Sequence, residues 1–342
     1  MNNKKIWGML LLFLGVLGTV IFGVYFLLSI YMEEVLRPVP RRDIVFQVYV
    51  NPSEDWKGVL GFVNQDGSDQ VILHLVQRGY IGKYFRYPFV ENNVLGFLTH
   101  PGWYILYGGS LQMYREGKIL PCGPNLDSRP SPVGQNGTYV GIYQWDEDGG
   151  AVLFRPIEKE CQIRELWSAD ELQEMGVFQV LGFHREEAVL LLGKKVPQKY
   201  DLTTGDLVPL PWLPASCWGM ISRDDHWLAC GGYKTQKHRI YSIRVVSLES
   251  GELWRERQIP RALVPLFGIE MVSWSPDGKA LVYHRCRSTN PEDPEACEEL
   301  GADNVGIYIW DLETDEERLV TTGGVVPYWI DWGSASIETP SP

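Results

Sequence analysis

Residues 272–284 read VSWSPDGKALVYH, an apolar run with a turn tetrapeptide driven through its middle. Pro276 presets φ for a turn and Gly278 supplies the backbone freedom that the turn needs. Trp274 therefore closes one strand and residues 280–284 open the next, so the stretch is a corner between two paired strands. Three other stretches fit the same position more loosely: MISRDDHWLACGG from Met220, LGFHREEAVLLLG from Leu181 and GFLTHPGWYILYGG from Gly96.

Outward from that corner, helical periodicity is almost absent. Runs of five to eight β-branched and aromatic residues recur instead, such as IVFQVYV, AVLLLGKK, IYSIRVVSL and GIYIWDL, each bounded by Gly, Pro, Asn or Asp. SADELQEM from Ser168 is the exception and reads as a short helical turn capped by Ser168. Four hairpins share one grammar: VNQDGSDQVIL from Val63, YDLTTGDLVPL from Tyr200, VSLESGELWRE from Val246 and WDLETDEERLV from Trp310. The first three are spaced by about 46 residues or a multiple of it, and RSTNPEDPEACEELGADN is inserted before the fourth. A period in the forties with four short strands per unit predicts an all-β chain folded as a β-propeller, whose small sheets must stack to bury their faces.

WSPDGKALVYH, followed after the insertion by VGIYIWDLETDEERLVTTGG, resembles the repeat of TolB-like propellers. GVLGFVNQDGSDQVIL resembles the second half of that repeat. The resemblance implies six blades and a binding platform, often extracytoplasmic in bacteria, and it carries over no catalytic residue. The strand count also comes to six. Residues 44–73 hold the outer strands of a blade that lacks its inner one, and VVPYWIDW, 325–332, has the form of that missing strand, so the two ends of the domain close one blade. Between Tyr80 and Trp167 the phase stays open, because IYQWDEDGGAVLF fits either a middle or an outer hairpin, and that leaves room for a seventh blade.

Residues 6–32 form an uncharged apolar run longer than the roughly 20 residues that span a bilayer. The run is too long for a signal-peptide core and is followed by SIYMEEVLRP rather than a small-residue cleavage site, which predicts a retained transmembrane anchor. Lys4 and Lys5 favour an inside N-terminus, while Arg37, Arg41 and Arg42 pull the other way; the cysteines decide for an extracytoplasmic C-terminal domain. The expected organisation is a cytoplasmic segment 1–5, an anchor 6–32, a Pro-stiffened stalk 33–42, a propeller 43–335 and a tail 336–342. A net charge of −12, from 43 acidic and 31 basic side chains, repels a phosphate backbone and excludes nucleic acid as a partner. The anchor has no GxxxG pair, so oligomeric state is not legible.

Six cysteines allow 15 pairings. Cys217 with Cys230 lie on neighbouring strands, Cys286 with Cys297 bracket the front of the insertion, and Cys122 is left for Cys161; free buried thiols are the competing reading. None has zinc-ligand spacing. There is no GxSxG elbow, HExxH pair or phosphate-binding glycine loop. His100, His184 and His226 recur at the proposed corners, where a repeated structural hydrogen bond accounts for them better than a ligand set.

Calcium-type oxygen ligands occur at Asp146 and Asp148 and in the insertion at Asp293, Glu295, Glu298, Glu299 and Asp303, though a solvated acidic loop is the default there and no cofactor is expected. A loop of this length inside a compact domain is usually functional or disordered, so those five residues are the expected binding surface. Most tryptophans sit at strand ends, where they fill gaps between blades; Trp212, in LPWLPASCW, is the candidate exposed stacking platform. The preferred function is a non-catalytic, membrane-tethered platform for a protein, peptide or envelope polymer. The alternative is a metal-dependent hydrolase or lactonase at the central channel, which needs acidic or amide groups from several blades to converge there.

Overall fold

A computed structural model describes residues 40–48 and 59–74, most of 196–330, the course of the strands between 83 and 193, and isolated helical positions between 15 and 24 and at 174. In chain order the strands are β1 (Ile44–Val48), β2 (Val59–Val63), β3 (Val71–His74), β4 (Lys83–Glu91), β5 (Val94–Pro101), β6 (Gly109–Arg115), β7 (Lys118–Leu126) and β8 (Pro130–Ser131). There follow β9 (Val140–Tyr143), β10 (Gly150–Arg155), β11 (Gln162–Ser168), β12 (Val177–His184), β13 (Ala188–Gly193), β14 (Gln198–Asp201), β15 (Leu207–Pro209) and β16 (Trp218–Ile221). The last eight are β17 (Trp227–Thr235), β18 (Ile240–Ser247), β19 (Leu253–Pro260), β20 (Ser273–Trp274), β21 (Ala280–Cys286), β22 (Val305–Asp311), β23 (Glu317–Thr322) and β24 (Gly324–Trp329).

They form six four-stranded antiparallel sheets. Five use consecutive strands, β4–β7, β8–β11, β12–β15, β16–β19 and β20–β23, and the remaining sheet has the order β24-β1-β2-β3. The last strand thus supplies the first position of the first sheet, with Ile44 opposite Trp329. This is the terminal pairing that the sequence predicts.

All four predicted hairpins join the third and fourth strands of a sheet: β2–β3, β14–β15, β18–β19 and β22–β23. The corners β20–β21, β16–β17 and β12–β13 also fall where expected. One corner does not. GFLTHPGWYILYGG bridges β5 and β6, the second and third strands, while the first turn of that sheet lies between Glu91 and Val94. Its apolar flanks mimic the corner pattern, and only strand pairing separates the two. IYQWDEDGGAVLF holds β9 and β10, so it is the middle hairpin of its sheet.

Why the sheets stack is visible in the sixth. Along β22 every residue from Val305 to Trp310 is buried, which one solvated face would forbid. Ile307 and Ile309 pack with Ile44, Phe46 and Val63 of the first sheet. Tyr308 and Trp310 turn the other way, into a cluster with Tyr241, Ile243 and Val245 of the fifth. Alternation along one strand therefore welds three sheets. Trp274, wholly buried, adds a hydrogen bond from its Nε1 to the Met220 carbonyl of β16 at 2.8 Å.

The corner at 275–279 is organised by one side chain. Ser275 Oγ accepts from the Lys279 and Ala280 amides at 3.1 and 2.9 Å and donates to Asp277 at 2.6 Å, with Gly278 at φ 71°. Ser222 and Asp224 repeat this arrangement before Trp227. Corners and outer hairpins lie along one edge of the sheets, called here the turn edge. The opposite, loop edge carries the second-to-third and sheet-to-sheet connections, including 264–272 and 287–304.

In the apolar N-terminal run, residues 15, 18–20 and 22–24 are helical, with Val20, Phe22 and Val24 exposed. Among the described residues no helix is long and apolar enough to cross a membrane, and the rest of 6–32 lies outside them. Only Glu174 of SADELQEM is described off the strand, and it is helical.

Candidate functional site

The described residues of the insertion form a loop on the loop edge. It leaves β21 at Cys286 and re-enters β22 at Val305, and those two residues are directly paired. A disulfide joins Cys286 to Cys297 with Cα atoms 6.1 Å apart, and both cysteines are buried. Cys297–Leu300 and Ala302–Asn304 form successive 3-10 turns separated by Gly301 at φ 92°.

The side chain of Asn304 locks the loop. Its Oδ1 accepts from the Ser288 amide and hydroxyl at 3.0 and 2.8 Å, and its Nδ2 donates to the carbonyls of Ser288 and Cys297 at 2.9 and 2.7 Å. A short amide that satisfies both flanks while almost fully buried is what holds an irregular segment in one conformation. Sequence reading missed it; the only signal was an Asn immediately before the returning strand.

The loop shows water an acidic, leucine-bearing surface. Glu292, Asp293, Glu299 and Asp303 are exposed, as is Leu300 at 44%. Asn290 Nδ2 donates to Glu299 Oε2 at 3.1 Å and so fixes that carboxylate. Glu295 and the side chain of Glu298 lie outside the described residues, as do Asp146 and Asp148. Among the described residues no group of three His, Cys, Asp or Glu side chains is placed to hold a metal ion.

Where the fifth and sixth sheets meet sits a polar cluster that the sequence did not announce. Glu317 on β23 accepts from Arg285 Nη2 at 2.6 Å, from Arg257 Nε at 3.2 Å and from the Tyr283 hydroxyl. Burial alone would raise the Glu317 carboxyl, but the hydrogen bonds from Arg285 and Tyr283 and the two guanidinium charges outweigh it and hold the group below its usual range. Arg285 lies 3.9 Å above the Tyr308 ring. With three donors engaged, Glu317 is a structural anion that ties the fifth sheet to the sixth rather than a base awaiting a substrate.

His284, next along β21, is wholly buried. Its Nε2 is 3.1 Å from the Gly268 carbonyl and its Nδ1 3.3 Å from the Val326 amide. Those partners assign the neutral tautomer with the proton on Nε2. Burial pushes the imidazole down to about 4, against a smaller upward pull from the Gly268 carbonyl.

The remaining candidates are dispersed. Trp212 is half-buried, packed beside Leu210, Leu213 and Leu228 and lying over Gly251 of the β18–β19 turn. His184 and His226 are at the turn edge but His100 is near the loop-edge end of β5, so the three do not share one face. Cys230 is disulfide-bonded to a cysteine whose side chain lies outside the described residues, as those of Cys217, Cys122 and Cys161 do.

With six four-stranded sheets, a first sheet completed by the last strand and loops gathered on one edge, the chain can be set beside known folds. It is similar in fold to TolB. TolB from Acinetobacter baumannii superposes with a TM-score of 0.58 at 12% identity, over 84% of this chain and 67% of TolB. Two fainter likenesses are a Bacteroides thetaiotaomicron protein of unknown function, at TM-score 0.46, 9% identity and 81% and 64% coverage of the two chains, and a candidate 6-phosphogluconolactonase of Bacteroides uniformis, at 0.42, 12%, 84% and 96%. No protein-family model matches the chain, and no curated protein matches it in sequence. At such identities the likeness to TolB concerns the fold alone.

Proposed function

We propose that the chain is a membrane-tethered, extracytoplasmic six-bladed β-propeller that binds a protein, peptide or envelope polymer and performs no chemistry itself. The observation that carries this reading is the 287–304 insertion. It is stapled by Cys286–Cys297, locked by Asn304 and presents Leu300 among carboxylates to solvent. Pre-organisation of that kind removes the ordering cost that a floppy loop would meet on binding.

Pairing of β24 with β1 and the similarity to TolB support closure of the six sheets into a ring. In a closed ring the first strand of each sheet lines the axis. Those six strands, β4, β8, β12, β16, β20 and β24, contain one carboxylate, Glu91 at the turn-edge end of β4, and one side-chain amide, Gln179 of β12. A channel hydrolase would need several. The uncharged run 6–32 supports the tether, and the disulfides suit an oxidising compartment.

The test has two arms. A photo-reactive residue at Leu300 should give a discrete adduct in cells, absent when the same residue replaces Glu249 at the turn edge and lost on Asn304→Ala. Metal analysis with a melt in chelator or calcium addresses the catalytic alternative. A stoichiometric ion whose removal lowers the Tm would overturn the platform reading in favour of a metal-dependent hydrolase.

A further inference from the structure

We infer that the β domain is tethered with its turn edge toward the bilayer, so that the stapled insertion is held on the membrane-distal side. This rests on the reading of residues 6–32 as an anchor. The chain enters the domain at one defined place. Arg42 Nε donates to the Asp69 carbonyl at 2.9 Å, Asp43 Oδ2 accepts from the Gln65 amide at 2.8 Å, and the Asp43 carbonyl accepts from the Ile330 amide at 2.8 Å. Residues 42 and 43 are thereby fastened to the 64–70 turn, at the turn edge, and β1 runs from there toward the loop edge.

The stalk is too short to reverse that arrangement. Ten positions separate Met32 from Arg42, which span at most about 33–36 Å when fully extended. To bring the loop edge to the bilayer, the stalk would first pass outward over β2 and β3, roughly 10 Å at the spacing of neighbouring strands. It would then climb the height of its own sheet, about 20 Å for a strand as long as β24. Those two distances use all but about 3–6 Å of a fully extended stalk, which is too little to clear the connections that project from the loop edge. The upright arrangement needs no such detour.

Charge acts in the same sense. Among the described residues the turn edge exposes Asp66, Asp224, Glu249, Asp277, Glu313 and Glu316 against the cations Arg41, Arg318 and Lys279, the last of them paired with Glu313 at 2.9 Å. An acidic face repels anionic headgroups within about one Debye length, roughly 8 Å at physiological salt, so the domain stands off the surface rather than lying on it. The insertion, on the far edge, is presented outward to whatever it binds.

The experiment uses the full chain in lipid nanodiscs with a fluorescent acceptor on the headgroups. Two variants, Glu249→Cys at the turn edge and Glu292→Cys in the insertion, each receive a thiol-reactive donor under non-reducing conditions, with the unsubstituted chain as the labelling control. Energy transfer should be several-fold stronger from position 249 than from 292. Equal or reversed transfer, with the chain incorporated in the disc, overturns the orientation and leaves the anchor intact. A chain that does not incorporate, and transfers from neither position, overturns the anchor and the orientation with it.

Discussion

His284 offers the sharpest test of how the sheets are joined. It links three elements: its own strand β21, the 264–272 connection through Gly268, and β24 through Val326. Val326 is β-branched yet sits at φ 49°, opposite the irregularity in the β1–β24 pairing, so its amide needs a partner off the ladder. The neutral imidazole supplies that acceptor. Protonation would place a hydrogen on Nδ1 against the Val326 N–H and bury a charge. The folded value, about 4, lies below the ordinary 6.5, so between them the unfolded chain binds more protons and stability rises with pH. The contribution is complete above about pH 6.5 and lost as pH falls toward 4; the one-site expression gives a loss of roughly 2–3 kcal/mol between pH 7.5 and pH 4.5. Carboxylates such as Glu317 also titrate in acid, so a control that keeps them is required. His284→Gln retains an amide donor and a carbonyl acceptor and cannot charge. Urea unfolding of the domain from Pro40 onward, at both pH values, should show the parent chain losing roughly 2–3 kcal/mol more than the variant. Equal losses would refute the assignment of His284 as a buried neutral link.

Three further outcomes follow from the same contacts. Glu317→Ala strands Arg257 and Arg285, whose side chains are only 24% and 16% exposed, and should cost about 3 kcal/mol in denaturant unfolding; a loss near zero would mean that water replaces the carboxylate. Asn304→Ala removes four hydrogen bonds from the insertion, about 1–3 kcal/mol of local stability, so amide exchange should quicken across residues 288–303 and not in β21 or β22. Unchanged exchange would assign the order of the loop to the disulfide alone. Gly251→Ala sets a Cβ at φ 72° and 2.3 Å from Trp212 Cγ, so it should cost about 1–2 kcal/mol from the backbone alone and shift the tryptophan emission as that ring is displaced.

What could be read from the chain was whatever a few neighbouring residues decide. SPDG makes a corner because Ser275, Gly278 and Ala280 meet within six positions, and the Asp201 and Asp311 turns close through amides two and three residues on. The four hairpins and the joining of the ends followed from such local patterns repeated at a fixed period. The misplaced corner in GFLTHPGWYILYGG marks the limit, because a strand's rank in its sheet depends on which partner it pairs with and not on its own residues.

By itself, then, the sequence determined an all-β repeat of four-stranded units with one long insertion. Only the tertiary structure decided that Asn304 locks that insertion, that His284 is a neutral link and that Glu317 is fully engaged. Their partners lie in other strands and connections, as far as 60 residues from Glu317 and 42 from His284. A polar side chain's burial, charge and freedom are set by the groups that stacking brings against it, and no local pattern records which those will be.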